Sequence, residues 1–506
     1  MDVSSHIHGG MCMESRPGPC AFVIFGASGD LAGRKLLPGL FGLYRRGLLK
    51  NFFVLGCGRK RLTDEAFRNV VRESLVLHCG GEPGQDDFVG RMFYVSGEYG
   101  SSGLCDEVSL RRAKLDAKFA TGGNTVYYMA TPPLLFRQIA AGLKACGVEK
   151  DREGGPFSRL VVEKPYGRDR EDALALDAEL KEFLSESQIY RIDHYLGKET
   201  VQNIALLRFA NTMFEPLWNA SHIDNVQLTV AETLGIEKRA GFFEHTGTML
   251  DMFQNHMLRL LSLITMERPS VLDADGLRNE RLNMYKALSH MTPTDISADI
   301  IRGQYVAGGG MKGYREEEGV APDSRMETFV AAKLLINNDR WRGVPFYLRT
   351  GKRLARHATR AVITFKRVDS SVFPMYSPTD IEPNALVLDI QPEESVSITV
   401  QTKLPGPRFC LTSRQLKFDY AGDGPDAPDA YERLLLDCAV GDQMLFVRHD
   451  NMAAAWDWVT PVLEQWRGNT AANTLHMYEA GSWGPEAARL LPERDGRKWH
   501  DFGTAQ

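Results

Sequence analysis

Ala21-Phe22-Val23-Ile24-Phe25-Gly26-Ala27-Ser28-Gly29-Asp30-Leu31-Ala32 decides the fold class. A short apolar run stops at a glycine, and Leu36 to Tyr44 beyond it carries an apolar face compatible with a helix despite Pro38, Gly39 and Gly42. Strand, glycine turn and helix in that order open a parallel α/β sheet. Gly26 and Gly29 permit tight backbone geometry, and the N–H groups at a helix N-terminus are free to receive an anion. The spacing is GxxGxxA rather than GxGxxG, which by itself also describes an ordinary strand-to-helix turn. Placed directly after a first strand, it predicts the phosphate turn of a dinucleotide site built from Gly26, Ser28, Gly29, Asp30 and Leu31.

Outward from that turn, apolar runs recur at Phe52–Leu55, Thr125–Ala130, Leu160–Glu163 and Gln188–Ile192, separated by charged segments of helical length. Strands buried on both faces read this way, and their alternation with helices predicts a doubly wound parallel sheet. After Glu199 the pattern changes. Within His222–Glu232, Val226, Leu228 and Val230 fall on one side and Gln227 and Thr229 on the other, which predicts a strand with one solvated face. Ala361–Phe365, Ala385–Ile390 and Ser395–Val400 continue the theme, and Val344–Arg353 reads as an apolar strand ending in a basic turn. Thr248–Met266 and Met326–Asn337 read as helices, so the second part is expected to be α+β with a large, mainly antiparallel sheet. The boundary falls near residue 198, giving domains 1–198 and 199–506, with residues 1–20 as a flexible tail. No linker-like stretch intervenes, so a short junction with an interdomain active site is expected.

A chain of 506 residues forms two or more cores, since single cores seldom grow beyond roughly 300 residues. With 43% hydrophobic residues, 25% charged residues and a net charge of -5, it has no general attraction to nucleic acid or membrane, and any positive site must be local. No stretch approaches the ~18 apolar residues that cross a bilayer, and the first twenty residues lack a basic-then-apolar leader pattern, so a cytoplasmic location is expected. The 8 cysteines, Cys12, Cys20, Cys57, Cys79, Cys105, Cys146, Cys410 and Cys438, show no CxxC spacing and are expected to be reduced thiols. No metal is expected, and His6 and His8 receive no function.

Arg191-Ile192-Asp193-His194-Tyr195-Leu196-Gly197-Lys198-Glu199 concentrates an acid, an imidazole, a phenol and an amine just after a strand. The carboxyl ends of strands are where open α/β sheets bind ligands. If the segment beyond is helical, His194 and Lys198 share a face and a bound anion bridges them. The end of the second strand selects the coenzyme. Gly56-Cys57-Gly58-Arg59-Lys60-Arg61 offers no acid before Asp64 for a ribose 2′-hydroxyl, and its cations, Arg59 first, suit the 2′-phosphate of NADP with Ser28 as a hydroxyl donor. A solvated basic turn is the plain alternative. Lys164, between an apolar strand and Pro165, and Lys35 in the first helix are further candidates, each also readable as a solvated lysine. His256, in the amphipathic stretch Asp251–Leu261, qualifies as a general base only with a carboxylate that fixes its tautomer. On an α-helix Asp251 stands about 140° away from it, so Asp193 is the expected partner.

Together, Gly26–Ala32, Glu163–Gly167, Arg191–Glu199, Asp251–His256 and Arg349–Lys352 closely resemble the glucose-6-phosphate dehydrogenase family in order and separation, across nearly the whole chain. Arg191–Glu199 is the specific element; the glycine turn is not. The resemblance implies a Rossmann-like coenzyme domain and a β+α domain whose sheet serves dimerisation, hence a homodimer or homotetramer. It implies oxidation of C1 of glucose 6-phosphate to 6-phosphogluconolactone with hydride transfer to NADP, the opening step of the oxidative pentose phosphate pathway. His256 is then the base and Asp193 its partner, while His194, Tyr195 and Lys198 bind the phosphate. Lys164 and Lys352 contact substrate, Lys164 also lies near the nicotinamide, Glu232 and Asp251 hold sugar hydroxyls, and Lys35 and Arg59 are coenzyme-side cations. Two departures stand out. Ala355-Arg356-His357-Ala358 matches poorly the basic set with which animal members hold a second, structural NADP, so that nucleotide is not expected. The charge-rich turn Gly58–Arg61 leaves NAD compatible as a second coenzyme. Another NADP-dependent sugar or hydroxy-acid dehydrogenase has no need of the His194 and Lys198 anion group, and a nucleotide-binding regulator has no need of the base.

Overall fold

The structure is a computed structural model that describes residues 16–502 apart from 81–82, 370–371, 374, 378–379, 409, 420–428, 469–473 and 501. His6, His8 and most of the expected tail lie outside the described residues. The chain divides into two compact units.

The first unit comprises Met1–Gly167, Ala173–Gly197 and Pro428–His449. Its sheet contains β1 (Cys20–Phe25), β2 (Phe52–Gly58), β3 (Met92–Ser96), β4 (Thr125–Met129), β5 (Ser158–Val162) and β6 (Ile189–Arg191) in the order β3-β2-β1-β4-β5-β6. Every neighbouring pair is parallel. This is the Rossmann-like sheet the apolar runs predict, and β1 and β2 are buried along their whole length. Order reverses between β1 and β4, the crevice position where such sheets take ligands.

A late stretch of chain completes this unit. The helix Ala430–Val440 lies on the helix Leu37–Arg45, where a Cβ on Gly42 would come within 2.7 Å of the Glu432 carboxylate. The two glycines that look like breakers in the sequence are the seat for that helix. Further on, Gln443 Nε2 donates to the carbonyls of Glu186, Ser187 and Ile189, Phe446 packs edge-on to Tyr190 with centroids 4.8 Å apart, and Val447 N donates to Arg191 O at 3.1 Å.

The second unit holds a nine-stranded sheet of β7 (Ile223–Ala231), β8 (Ile300–Val306), β9 (Phe329–Leu335), β10 (Pro345–Gly351), β11 (Ala358–Phe365), β12 (Ala385–Gln391), β13 (Ser395–Lys403), β14 (Leu411–Asp419) and β15 (Leu475–Glu479), ordered β14-β13-β12-β11-β7-β10-β9-β8-β15. It is mainly antiparallel, with β7 parallel to β10 and β8 parallel to β15.

Four expectations change. Met326–Asn337 is not a helix: its core is β9, paired with β8 and β10 and buried on both sides, which erases the alternation that would have marked a strand. β7 has no solvated face, because Gln227 donates to Lys498 O and accepts from His500 N, and Thr229 Oγ1 accepts from Arg349 Nε. The segment Thr248–Met266 is helical, but Met249–Met257 is wound as a π-helix before the α-helix Leu258–Thr265. Cys105 and Cys146 are joined as a disulfide rather than standing as free thiols, since the helices Ser102–Phe119 and Phe136–Ala145 bring them together across 41 residues of sequence. Among the described residues Cys20, Cys57, Cys410 and Cys438 are free thiols, and Cys12 lies outside the described residues. Among the described residues, no helix is long and apolar enough to cross a membrane.

Candidate active site

In the first unit, β1 ends at a glycine that no other residue replaces without strain. Gly26 has φ +87, and a Cβ there would lie 2.3 Å from Ala130 O at the end of β4. The turn closes through Gly29 N donating to Gly26 O at 2.9 Å, Ser28 is half-buried, Asp30 is exposed and pairs with Arg34, and Asp30 and Leu31 begin the helical turn that leads into the π-wound Ala32–Leu36. Lys35 lies in that segment with its ammonium 2.7 Å from Asp429, the N-cap of the helix Ala430–Val440. Arg59, Lys60 and Arg61 are exposed just beyond β2. Asp64, the first acid after them, accepts from Tyr94 N at 2.9 Å and pairs with Arg111, so it is committed to the fold.

The carboxyl ends of β5 and β6 carry the other first-unit candidates. Glu163 is buried and accepts from Tyr128 Oη at 2.7 Å; burial pushes its carboxyl above the usual range. Lys164 follows, half-buried, and its bond to Pro165 is cis. Asp193 is fully buried, and its Oδ1 accepts from Tyr195 N at 3.0 Å. His194 stands beside Tyr195, centroids 5.1 Å apart, and nearly parallel to the ring of Tyr431 at 6.1 Å. Residues 194–197 form a turn, and the helix begins only at Glu199 with Lys198 as N-cap. The helical spacing expected to pair His194 with Lys198 is therefore absent.

In the second unit, strand register gathers charge. β7 and β10 run parallel with Ala231 opposite Gly351, so Glu232 and Lys352 leave the sheet side by side. Lys352 is buried, with its ammonium 2.5 Å from Glu232 and 3.5 Å from Asp251. Asp251 and His256 both lie in Met249–Met257, and His256 is fully buried. In a π-helix the bonded groups are five residues apart, so Asp251 and His256 are one turn apart and the 140° separation of an α-helix does not apply. Lys198 bonds Gln391 Oε1, and Gln391 in turn donates to Thr359 Oγ1 at 2.9 Å.

Residues 23–203 match the family description "Glucose-6-phosphate dehydrogenase, NAD binding domain", and residues 205–500 match "Glucose-6-phosphate dehydrogenase, C-terminal domain". The chain belongs to the glucose-6-phosphate dehydrogenase family. It is 43% identical to the glucose-6-phosphate 1-dehydrogenase of Chlamydia pneumoniae over 95% of this chain and 96% of that protein, and 39% identical to that of Bacillus subtilis over 94% and 97%. Among solved structures, a glucose-6-phosphate dehydrogenase in complex with its substrate glucose-6-phosphate superposes with a TM-score of 0.88 at 34% identity, covering 97% of this chain and 100% of that one.

Three side chains near these family positions escape a reading by sequence. Tyr431 and Gln391 reach His194 and Lys198 from more than 190 residues away, and neither belongs to a quoted motif. Glu327 is the third: its Oε1 accepts from Met249 N at 3.1 Å, and burial pushes its carboxyl up to about 7 against the pull of that N–H and of Arg302.

Proposed function

We propose that this chain oxidises C1 of glucose 6-phosphate to 6-phosphogluconolactone with NADP, as a cytoplasmic enzyme opening the oxidative pentose phosphate pathway. The observation that carries the reading is the buried Lys352, set between Glu232 and Asp251, with Asp251 on the same helical segment as His256, in a chain of this family. A cation set between two carboxylates away from water suits the donor and acceptor pattern of sugar hydroxyls. His256 accepts the C1 hydroxyl proton, which requires a neutral imidazole, and Asp193 is the carboxylate that orients it and stabilises the imidazolium. His194, Tyr195 and Lys198 take the phosphate, Glu232 and Asp251 orient sugar hydroxyls, and Lys164 and Lys352 contact substrate. NADP, when bound, supplies the hydride acceptor. Gly26 lets the turn after β1 close against the backbone of Ala130, and the N–H groups at the start of the helix beyond it suit a pyrophosphate; Lys164 is assigned to the nicotinamide side.

Arg59 is proposed to hold the 2′-phosphate, with Ser28 beside it; exposed cations after β2 and the commitment of Asp64 to Tyr94 and Arg111 support this. Following NADPH absorbance with glucose 6-phosphate, and again with NAD or with free glucose, tests the whole reading; no turnover with glucose 6-phosphate refutes it. Arg59→Ala is expected to cost about 1.5–3 kcal/mol in kcat/KM with NADP, the worth of a hydrogen bond to a charged group, with little change for NAD. Equal losses with both coenzymes remove Arg59 from the 2′-phosphate. We also propose a homo-oligomer that covers the outer face of β13 and β14.

A further inference from the structure

The segment that carries Asp251 and His256 is tied down at its start by a residue to which the proposed chemistry gives no role. N–H groups in the first turn of a helix have no partner within the helix. Glu327 supplies acceptors for two of them in succession: its backbone oxygen takes Thr248 N and its Oε1 takes Met249 N, both at 3.1 Å. Gly247 makes the approach possible, with φ +57 and a Cβ position only 2.2 Å from that Oε1. The next residue anchors the other charge of the site. Thr328 O accepts Lys352 N at 2.9 Å, and Tyr478 Oη donates to Lys352 O at 2.7 Å while lying 3.0 Å from Thr328 Oγ1. Two adjacent residues at the entry to β9 thus hold the backbone beneath Asp251 and His256 on one side and beneath Lys352 on the other.

We infer that Glu327 is a positioning residue for the reaction: its side chain fixes where the Met249–Met257 segment begins relative to Lys352, and so where His256 stands when it takes the proton. The inference rests on the reading of His256 as the base. Glu327 touches neither substrate nor coenzyme in this role, and its effect is carried by geometry, where a displacement of about 1 Å costs on the order of 10²-fold in rate.

The test compares Glu327→Leu, Glu327→Gln, Gly247→Ala and His256→Asn in the full chain, by steady-state kinetics with glucose 6-phosphate and NADP normalised to folded protein by near-UV circular dichroism. Glu327→Leu is expected to lower kcat by about 10- to 100-fold with KM for NADP within about twofold. Glu327→Gln, whose amide oxygen still accepts Met249 N, is expected to recover kcat to within about fivefold of the wild type. Gly247→Ala, which displaces the carboxylate without removing it, should reproduce the Leu phenotype, and it stands in if the Leu variant does not fold. Near-normal kcat in the Leu or Ala variant, or a Gln variant as impaired as Leu, overturns the inference. His256→Asn separates the two claims: near-normal turnover there refutes the base, whereas a dead His256→Asn beside an active Glu327→Leu refutes only the positioning role.

Discussion

At the scale of single residues, ionisable groups in this fold sit where burial and strand register place them, and pH exposes one. The Glu327 carboxyl, ordinarily at 4.5, is pushed up to about 7 by burial. Between those values the folded chain keeps a proton that the unfolded chain has released, so this residue's contribution to stability falls as pH rises through that window and is level above it. The shift corresponds to about 3 kcal/mol. Glu327→Gln is therefore expected to gain up to that amount on the wild type between pH 4.5 and 8, measured as the difference between their urea-unfolding free energies at each pH. A constant difference across the range contradicts the raised carboxyl. Residue types were legible where a motif concentrates them: Asp193, His194 and Lys198 could be named because their stretch has no packing reason for such a mixture. Glu327 was not, since an acid ahead of Thr328 and Phe329 looks ordinary until its partner, 78 residues away, is brought to it.

At the scale of elements, the apolar runs announced the parallel sheet, because strands buried on both faces are continuous in hydrophobicity. The same property hid β9. Phe329-Val330-Ala331-Ala332 lies between β8 and β10 with no polar alternation, and its alanines favour a helix locally while pairing on both sides decides the matter. β7 was legible as a strand, but its polar face was assigned to water because the C-terminal segment that covers Gln227 lies more than 270 residues away. The turn after β1 is the most constrained joint. Gly26→Ala places a side chain at φ +87 and against Ala130 O, and is expected to destabilise by about 1–3 kcal/mol. Urea unfolding and the KM for NADP measured together check this, since both should worsen; an unchanged pair of values means the turn relaxes freely.

At the scale of the whole molecule, the second sheet leaves a nine-residue edge strand, β14, on which Leu416 and Phe418 are 55% and 56% exposed and point the same way. Edges of this length and character are covered in stable proteins. The double change Leu416→Asp with Phe418→Asp is expected to convert the proposed oligomer to monomers by light scattering during gel filtration, and an unchanged mass removes this face from the interface. The two-part plan of the chain was legible from the change of periodicity near residue 198. The return of Pro428–His449 to the first unit was not, because an amphipathic helix records that it needs a partner and not which partner. That return orders events on the ribosome. Chains are made from the N-terminus and units close as their last contacts emerge, yet the first unit waits for Gln443 and Val447, after β14 has been made. A fragment ending at Lys198 is accordingly expected to lack near-UV circular dichroism while keeping helical signal, and to gain fixed structure when residues 428–449 are supplied as a peptide. The part of the chain that is synthesised first is thus held unfinished, its glycine-lined seat bare, until nearly nine-tenths of the sequence exists.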